Sequence, residues 1–415
     1  MHFRTTPSTT TRARRGTLTT PHGTVQTPAF VTVGTKATVK GLSPTDLEAT
    51  GTQFVFANTY HLTLSPTPEV VAKHGGVHKL SGIQKPMITD SGGFQVFSLA
   101  FNKERPDGEP LPVTKPLATA PLADTSASLD DARASLDDSD LPAQPHLVQI
   151  TDDGVRFRSH IDGTEYFFTP EFSIDAQIKI GADFIVAFDE CIYAGATRKY
   201  TERATERTHK WAQRSLDHLR TNGDEQQQKM YGVIQGGMYE DLRKLSTETI
   251  ASMDFFGIAL GGVSVGEANE ELRQQIIWMM DVLHADPRPR HLLGISSFED
   301  VIFGVLHGVD TFDCILPTRD ARTGKIYIST TPKAGTLAHK HGLPHYDKIK
   351  ITDSRFKGST EPFNEKLLPG VTFGYMHHLF KQKELLYHRY ATMHNLSMME
   401  EFFAQIREAI EDGRM

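Results

Sequence analysis

Three aspartates, Asp90, Asp189 and Asp313, each close a short apolar run: PMITD, DFIVAFDE and DTFDC. A carboxylate is costly to bury unless it is paired or used. One such residue reads as a helix cap or a salt-bridge partner; three at matching places read as a site. In a dry pocket such groups can attack carbon, take up a proton or read a ligand's N–H groups. Glycine-bearing loops follow runs of the same kind: DSGGF with Ser91, Gly92 and Gly93, QGG with Gln235, Gly236 and Gly237, and GGVSVGE with Gly261, Gly262 and Gly266. Any one Gly pair is a tight strand-to-helix turn. Three of them beside three acids and an amide point to a flat heterocycle that meets backbone donors closely. In DCILPTRDARTG, Arg319 and Arg322 stand on a predicted rim loop just past Asp313. Arginines there can grip phosphates bidentately. No phosphate-loop GxxxxGK[ST], no strand-linked GxGxxG and no GxSxG elbow is present, which disfavours dinucleotide and esterase chemistry.

The elements that must position these residues are legible as runs of four to six apolar residues. They end at Asp90, at Asp189 and Glu190 (DFIVAFDE), at Gln235 (YGVIQGG), at Gly262 (FGIALGG), at Gly294 (HLLGI) and at Asp313. Such runs suggest strands buried on both faces. Amphipathic stretches long enough for a helix lie between most of them, the alternation of a parallel α/β sheet. In a (β/α)8 TIM barrel the C-terminal strand ends share one rim, and that rim carries the active site. Residues 20–100 read as short strands and turns entering the barrel. Residues 103–146, rich in Pro, Ala, Ser and Asp with ASLDDAR repeated as ASLDDSD, read as a low-complexity acidic loop insertion. The segment TDDGVRFRSHIDGTEYFFTP predicts a hairpin in which Val155, Phe157 and Ser159 alternate and Asp162-Gly163 turns the chain. From Thr330 the pattern is less regular, and it ends in a periodic helix, MMEEFFAQIREAIEDG.

The 415-residue chain carries a net charge of -7, so a nucleic-acid partner would need a local basic patch. The two cysteines, Cys191 and Cys314, exclude a disulfide scaffold and suggest a reducing, cytoplasmic setting. No apolar stretch is long enough to span a membrane. The Arg- and Thr-rich N-terminus raises a transit peptide, but it runs directly into fold-like sequence, TPHGTVQTPAFVTVG.

The motifs DSGGFQVFSL, FDEC, VIQGG, ALGGVSVGE, RHLLGI and FDCILPTRDAR, with NTYHL (Asn58 to Leu62) and TPAFVTVGT before them, closely resemble bacterial-type tRNA-guanine transglycosylase, the queuine tRNA-ribosyltransferase family. The resemblance runs from about residue 2 to the C-terminus, outside the acidic insertion and the segment of the missing zinc ligands described below. It implies one barrel domain over residues 1–415, with residues 330–395 equivalent to the family's zinc-binding subdomain. It implies exchange of the wobble guanine (position 34) of GUN-anticodon tRNAs through a covalent ribosyl-aspartate. Carried over by motif, Asp313 is the nucleophile and Asp90 the general base. Asp189, Gln235 and the backbone at Gly262 read the base, Phe94 covers it, and Arg319 and Arg322 hold the anticodon loop. Cys191, Val263 and Val265 are pocket wall. Cys191 and Val265 match the bulk of the bacterial type, which inserts 7-aminomethyl-7-deazaguanine (preQ1) in queuosine biosynthesis. A homodimer is implied as well.

One departure stands out. The family holds a structural zinc with a CxCxxC cluster and a later His, but the matching positions here are Phe363, Glu365 and Leu368, with only His394 remaining. Phe and Leu offer no ligand atom to Zn²⁺. The expectation is therefore no metal and no cofactor, with apolar packing through Phe363, Leu367, Leu368, Val371 and Phe373 in its place. Thr32, Ser296 and Ser297 also differ from the family's usual residues without removing a catalytic group. Three other readings remain at this level: a non-catalytic tRNA-binding accessory subunit, a paralogue acting on another nucleic acid such as DNA, and a glycosidase. The last is disfavoured because Trp211 and Trp278, the only tryptophans, sit in apparent helices.

Overall fold

In a computed structural model of the chain, the structure describes residues 1–100, 148–159 and 163–415. The expected acidic insertion at 103–146 and Asp162 of the expected hairpin turn lie outside the described residues.

Eight parallel strands close into a barrel. In chain order they are β1 (Ala29–Val33), β2 (Phe54–Ala57), β3 (Met87–Thr89), β4 (Phe184–Val186), β5 (Lys229–Ile234), β6 (Gly257–Leu260), β7 (Arg290–Leu292) and β8 (Thr311–Cys314). Each pairs with the next, and β8 closes on β1 with Asp313 opposite Val31. Six of the eight are the apolar runs that end at Asp90, Glu190, Gln235, Gly262, Gly294 and Asp313. Both faces of these strands are covered, which is why they read as continuous apolar runs rather than alternating ones. Leu18, Val25, Val31, Phe54, Ile88, Phe184, Val186, Tyr231 and Val233 pack together inside the barrel. A larger apolar layer lies between the strands and the surrounding helices.

An antiparallel sheet (His2–Pro7, Arg14–Thr20, Gly23–Thr27) precedes β1. Its Leu18 and Val25 join the interior cluster. Arg14 locks the sheet down through Asp310, just before β8, with Nε to Oδ1 at 2.8 Å. His22, in the turn between two of these strands, hydrogen-bonds Asp183 at 2.8 Å. The active rim is thus the opposite end of the barrel from this sheet.

Between β3 and β4 the predicted hairpin is present as Val155–Arg158 against Glu165–Phe168, and Val148–Ile150 adds a third strand. Past β8 come a short helix, Leu316–Arg322, and a β-ribbon, Lys325–Thr330 with His345–Lys350. The terminal helix runs Leu385–Glu411, well beyond the periodic stretch seen in sequence. It packs on β1 and on the helix after β8. Asn395 stitches it in place: its Nδ2 donates to Pro317 O at 3.0 Å and its Oδ1 accepts from Tyr327 N at 3.0 Å. Among the described residues, no helix is long and apolar enough to cross a membrane.

Candidate active site

Asp90 follows β3, and helix Thr59–Leu64 aims its first turn at it. Asp90 Oδ1 accepts from Thr59 N at 2.7 Å, and Oδ2 accepts from Asn58 Nδ2. Asn58 is also the N-cap of that helix, its Oδ1 accepting from His61 N. Burial pushes the Asp90 carboxyl up to about 7, reinforced by the charges of Asp313 and Asp189 and opposed by backbone N–H donors.

Asp189 lies beyond β4. Its Oδ2 accepts from Gln235 Nε2 at 2.8 Å and its Oδ1 from Ser91 Oγ at 3.1 Å. Burial raises it to about 6, while these two donors pull it down. Gln235 Oε1 is buried and has no partner among the described residues. A buried amide oxygen without a donor is an acceptor waiting for a ligand N–H. The neighbouring Glu190 points elsewhere, taking Tyr200 Oη at 2.6 Å and the Arg207 guanidinium. Of the two acids in FDEC, only Asp189 faces the rim.

Asp313, in β8, is largely buried. Its Oδ1 accepts from Gly294 N at 3.1 Å, at the end of the β7 run. His291 Nε2, from β7, lies 3.2 Å from the same oxygen.

Gly262 explains itself sterically. Its φ is +58°, and a Cβ there would sit 2.3 Å from Gln235 Oε1. A side chain there would displace the Gln235 amide. Arg243 holds the two loops together: Nε donates to Gly237 O at 2.7 Å, Nη1 to Gly261 O at 2.6 Å, and Nη2 to Gly262 O. It is fully buried, and burial lowers it to about 10, so it stays charged at neutral pH. In sequence Arg243 sits in EDLRKLS and resembles solvated helix charge. Nothing local marks it. Asn58, Ser91 and His291 lie inside quoted motifs, but no signal in the chain assigned them contacts.

The remaining expected residues surround this centre unevenly. Phe94 is 54% exposed on the first turn of helix Gly93–Ala100. Cys191 is half-buried, and burial beside Asp189 raises its thiol well above the ordinary range. Val265 is half-buried and its N donates to Glu267 Oε2 at 2.8 Å, whereas Val263 packs into the main apolar layer. Arg319 and Arg322 lie on the helix Leu316–Arg322 rather than on a loop. Both are half-buried, and Arg322 Nη1 has no partner among the described residues. Burial, together with the charge of Arg319, lowers the pKa of Arg322. Two guanidiniums thus stand on the helix that follows β8, and guanidiniums can hold phosphate oxygens bidentately.

The residues at the expected zinc position do not fit that metal. His394 uses both ring nitrogens: Nε2 is 2.7 Å from Tyr327 O and Nδ1 is 3.1 Å from Asn364 Nδ2. The Phe363 ring lies 4.5 Å from the His394 ring and 5.2 Å from that of Phe373. Phe363 and Leu368 are buried in the main layer, with Leu367, Val371 and Phe373 packed against it. Among the described residues one group has ligand-like spacing, His22, His78 and Asp183, far from that position in the chain. Its two imidazoles stack at 3.4 Å and 8°, so no single ion can lie in both ring planes.

A family profile described as Queuine tRNA-ribosyltransferase matches residues 8–114 and 126–415. A queuine tRNA-ribosyltransferase of Caldanaerobacter subterraneus subsp. tengcongensis is 38% identical over 410 residues, covering 98% of this chain and 92% of that protein. Proteins of the same name from Herpetosiphon aurantiacus and Francisella tularensis subsp. novicida are 38% and 35% identical, each over 97% of this chain and over 87% and 93% of their own lengths. With a closed parallel barrel, three carboxylates on one rim and near-complete coverage, this chain belongs to the queuine tRNA-ribosyltransferase family.

Proposed function

We propose that this protein is a pentosyltransferase that exchanges the wobble guanine of GUN-anticodon tRNAs for preQ1 in queuosine biosynthesis. The observation that carries the reading is the meeting of Asp90, Asp189 and Asp313 at one rim, with the unpartnered Gln235 Oε1 beside them. An anticodon loop presents bases that are already partly unstacked, so the target guanine reaches such a pocket at low cost. Asp189 and Gln235 then accept the base's N–H groups. Asp313 attacks ribose C1′, the C1′–N9 bond breaks, and its electron pair leaves with guanine. Asp90 in its acid form supplies the proton that guanine takes up. The incoming base gives its N9 proton to Asp90, N9 attacks C1′, and Asp313 leaves as carboxylate. A carboxyl raised by burial to about 7 is suited to act first as acid and then as base. No cofactor is required by this sequence of steps. Arg319 and Arg322 contact phosphates of the anticodon loop. The protein acts in the cytoplasm as a homodimer, and residues 330–395 hold their shape by apolar packing without zinc.

The test is incorporation of labelled guanine, then preQ1, into tRNA with a GUN anticodon, for wild type beside Asp313→Ala, with metal analysis of the same preparation. Incorporation and a trapped tRNA adduct in wild type, both lost in the variant, are expected. A folded wild type that incorporates neither base defeats the reading. Stoichiometric zinc defeats its metal-free part.

A further inference from the structure

Among the described residues His291 is the one imidazole beside the carboxylate that the proposed reaction uses as nucleophile, and that reaction gives it no task. It is wholly buried on β7. Its ring faces Phe56 of β2 at 6.2 Å and 24°. Nδ1 lies 2.9 Å from Thr311 Oγ1 on β8. Nε2 has no hydrogen bond in line, yet it lies 3.2 Å from Asp313 Oδ1. A buried ring nitrogen left without an aligned partner, one contact distance from a carboxylate, is costly unless the contact closes at some stage.

We propose that His291 is a positioning residue for Asp313: its Nε2–H, together with Gly294 N–H, holds Oδ1 and leaves Oδ2 as the oxygen that attacks. The inference rests on the function proposed above.

Among the described residues the Thr311 hydroxyl has no other hydrogen-bond acceptor, and in the proposed arrangement it donates to Nδ1. That leaves the proton on Nε2, the nitrogen facing Asp313. Oδ1 then has two donors, Gly294 N at 3.1 Å and His291 Nε2, while among the described residues Oδ2 has none. A carboxylate with one oxygen fixed cannot rotate, and its other oxygen is presented along one direction. The off-line approach of Nε2 suits an empty site, since hydrogen bonds to catalytic groups often align only when substrate is bound. The imidazole takes no proton in either step. When Oδ2 bonds to C1′, Oδ1 becomes the ester carbonyl and still accepts.

His291→Phe keeps the ring volume and removes the donor. His291→Gln restores an N–H group near the Nε2 position. Rates of adduct formation in a single turnover, KM for tRNA and thermal melts are measured for both beside wild type. His291→Phe is expected to slow adduct formation by roughly 10- to 100-fold with KM for tRNA unchanged, as for loss of one hydrogen bond to a charged group. His291→Gln is expected to recover most of that rate. A wild-type rate in His291→Phe overturns the proposal. So does an equal loss in a well-folded His291→Gln, because the ring's packing and not its N–H would then be what matters. A wild type that forms no adduct overturns the proposed function itself, a result distinct from either.

Discussion

Replacing Gly262 by alanine tests whether the proposed base-reading pair, Asp189 and Gln235, depends on the space that this residue leaves empty. Its φ of +58° lies in the left-handed region, where a Cβ costs about 1 kcal/mol. The added carbon would meet Gln235 Oε1 at 2.3 Å and Arg243 Nη2 at 3.1 Å. Reaching ordinary contact requires the Gln235 amide to move by about 1 Å. Its Nε2 now donates to Asp189 at 2.8 Å, and such a shift breaks that bond. A hydrogen bond to a charged acceptor contributes about 1.5–3 kcal/mol, so KM for guanine should rise by roughly 10- to 100-fold. The rate at saturating guanine should change far less, because Asp313 and Asp90 lie outside the displaced contact. Gly370→Ala is the control: φ is +77° with nothing within 4 Å of its Cβ, so it carries the backbone strain alone. The assay is guanine exchange into tRNA over a range of guanine concentrations, with melting temperatures for both variants. A wild-type KM in Gly262→Ala refutes the steric argument, as does an equal rise in Gly370→Ala.

Asp90, raised to about 7, loses its proton-accepting form as pH falls through that value, so discharge of the adduct by the incoming base should fall tenfold per pH unit below it. Asp90→Asn should lower the rate and abolish this acid limb; a variant that keeps the limb assigns it elsewhere. Glu400, buried on the terminal helix with Oε1 unpartnered, is raised by burial from 4.5 to about 8. The folded state therefore holds its proton more tightly than the unfolded chain, and stability should fall as pH rises between those values. Melts across pH 5–9 should slope less in Glu400→Gln, and identical slopes would exclude this group as the cause. Phe363→Ala should cost about 3–5 kcal/mol by emptying the contact with His394 and Phe373. A metal chelator should leave the wild-type melt unmoved; a shift would reveal a metal that the apolar packing argument excludes.

The sequence by itself determined the barrel, six of its strands and the three rim carboxylates. Strands buried on both faces must be apolar throughout, so a polar residue at the end of such a run marks where the strand leaves the core. The loss of zinc ligands was legible too, because ligand chemistry belongs to residue type: Phe363 and Leu368 carry no donor atom in any fold. What only the tertiary structure decided is which polar atoms meet. Asp189 and Glu190 are adjacent in the chain, yet one faces Gln235 and the other is taken by Tyr200 and Arg207. Arg243 has the sequence context of an exposed helix charge, and its burial depends on carbonyls up to 19 residues away. The partner of His291 is 22 positions on, brought to 3.2 Å because β7 and β8 are neighbours in the barrel. A periodic pattern records whether a position is buried, since burial repeats with the element. The neighbour across a strand or loop is set by closure of the whole barrel, and no local run of residues encodes it.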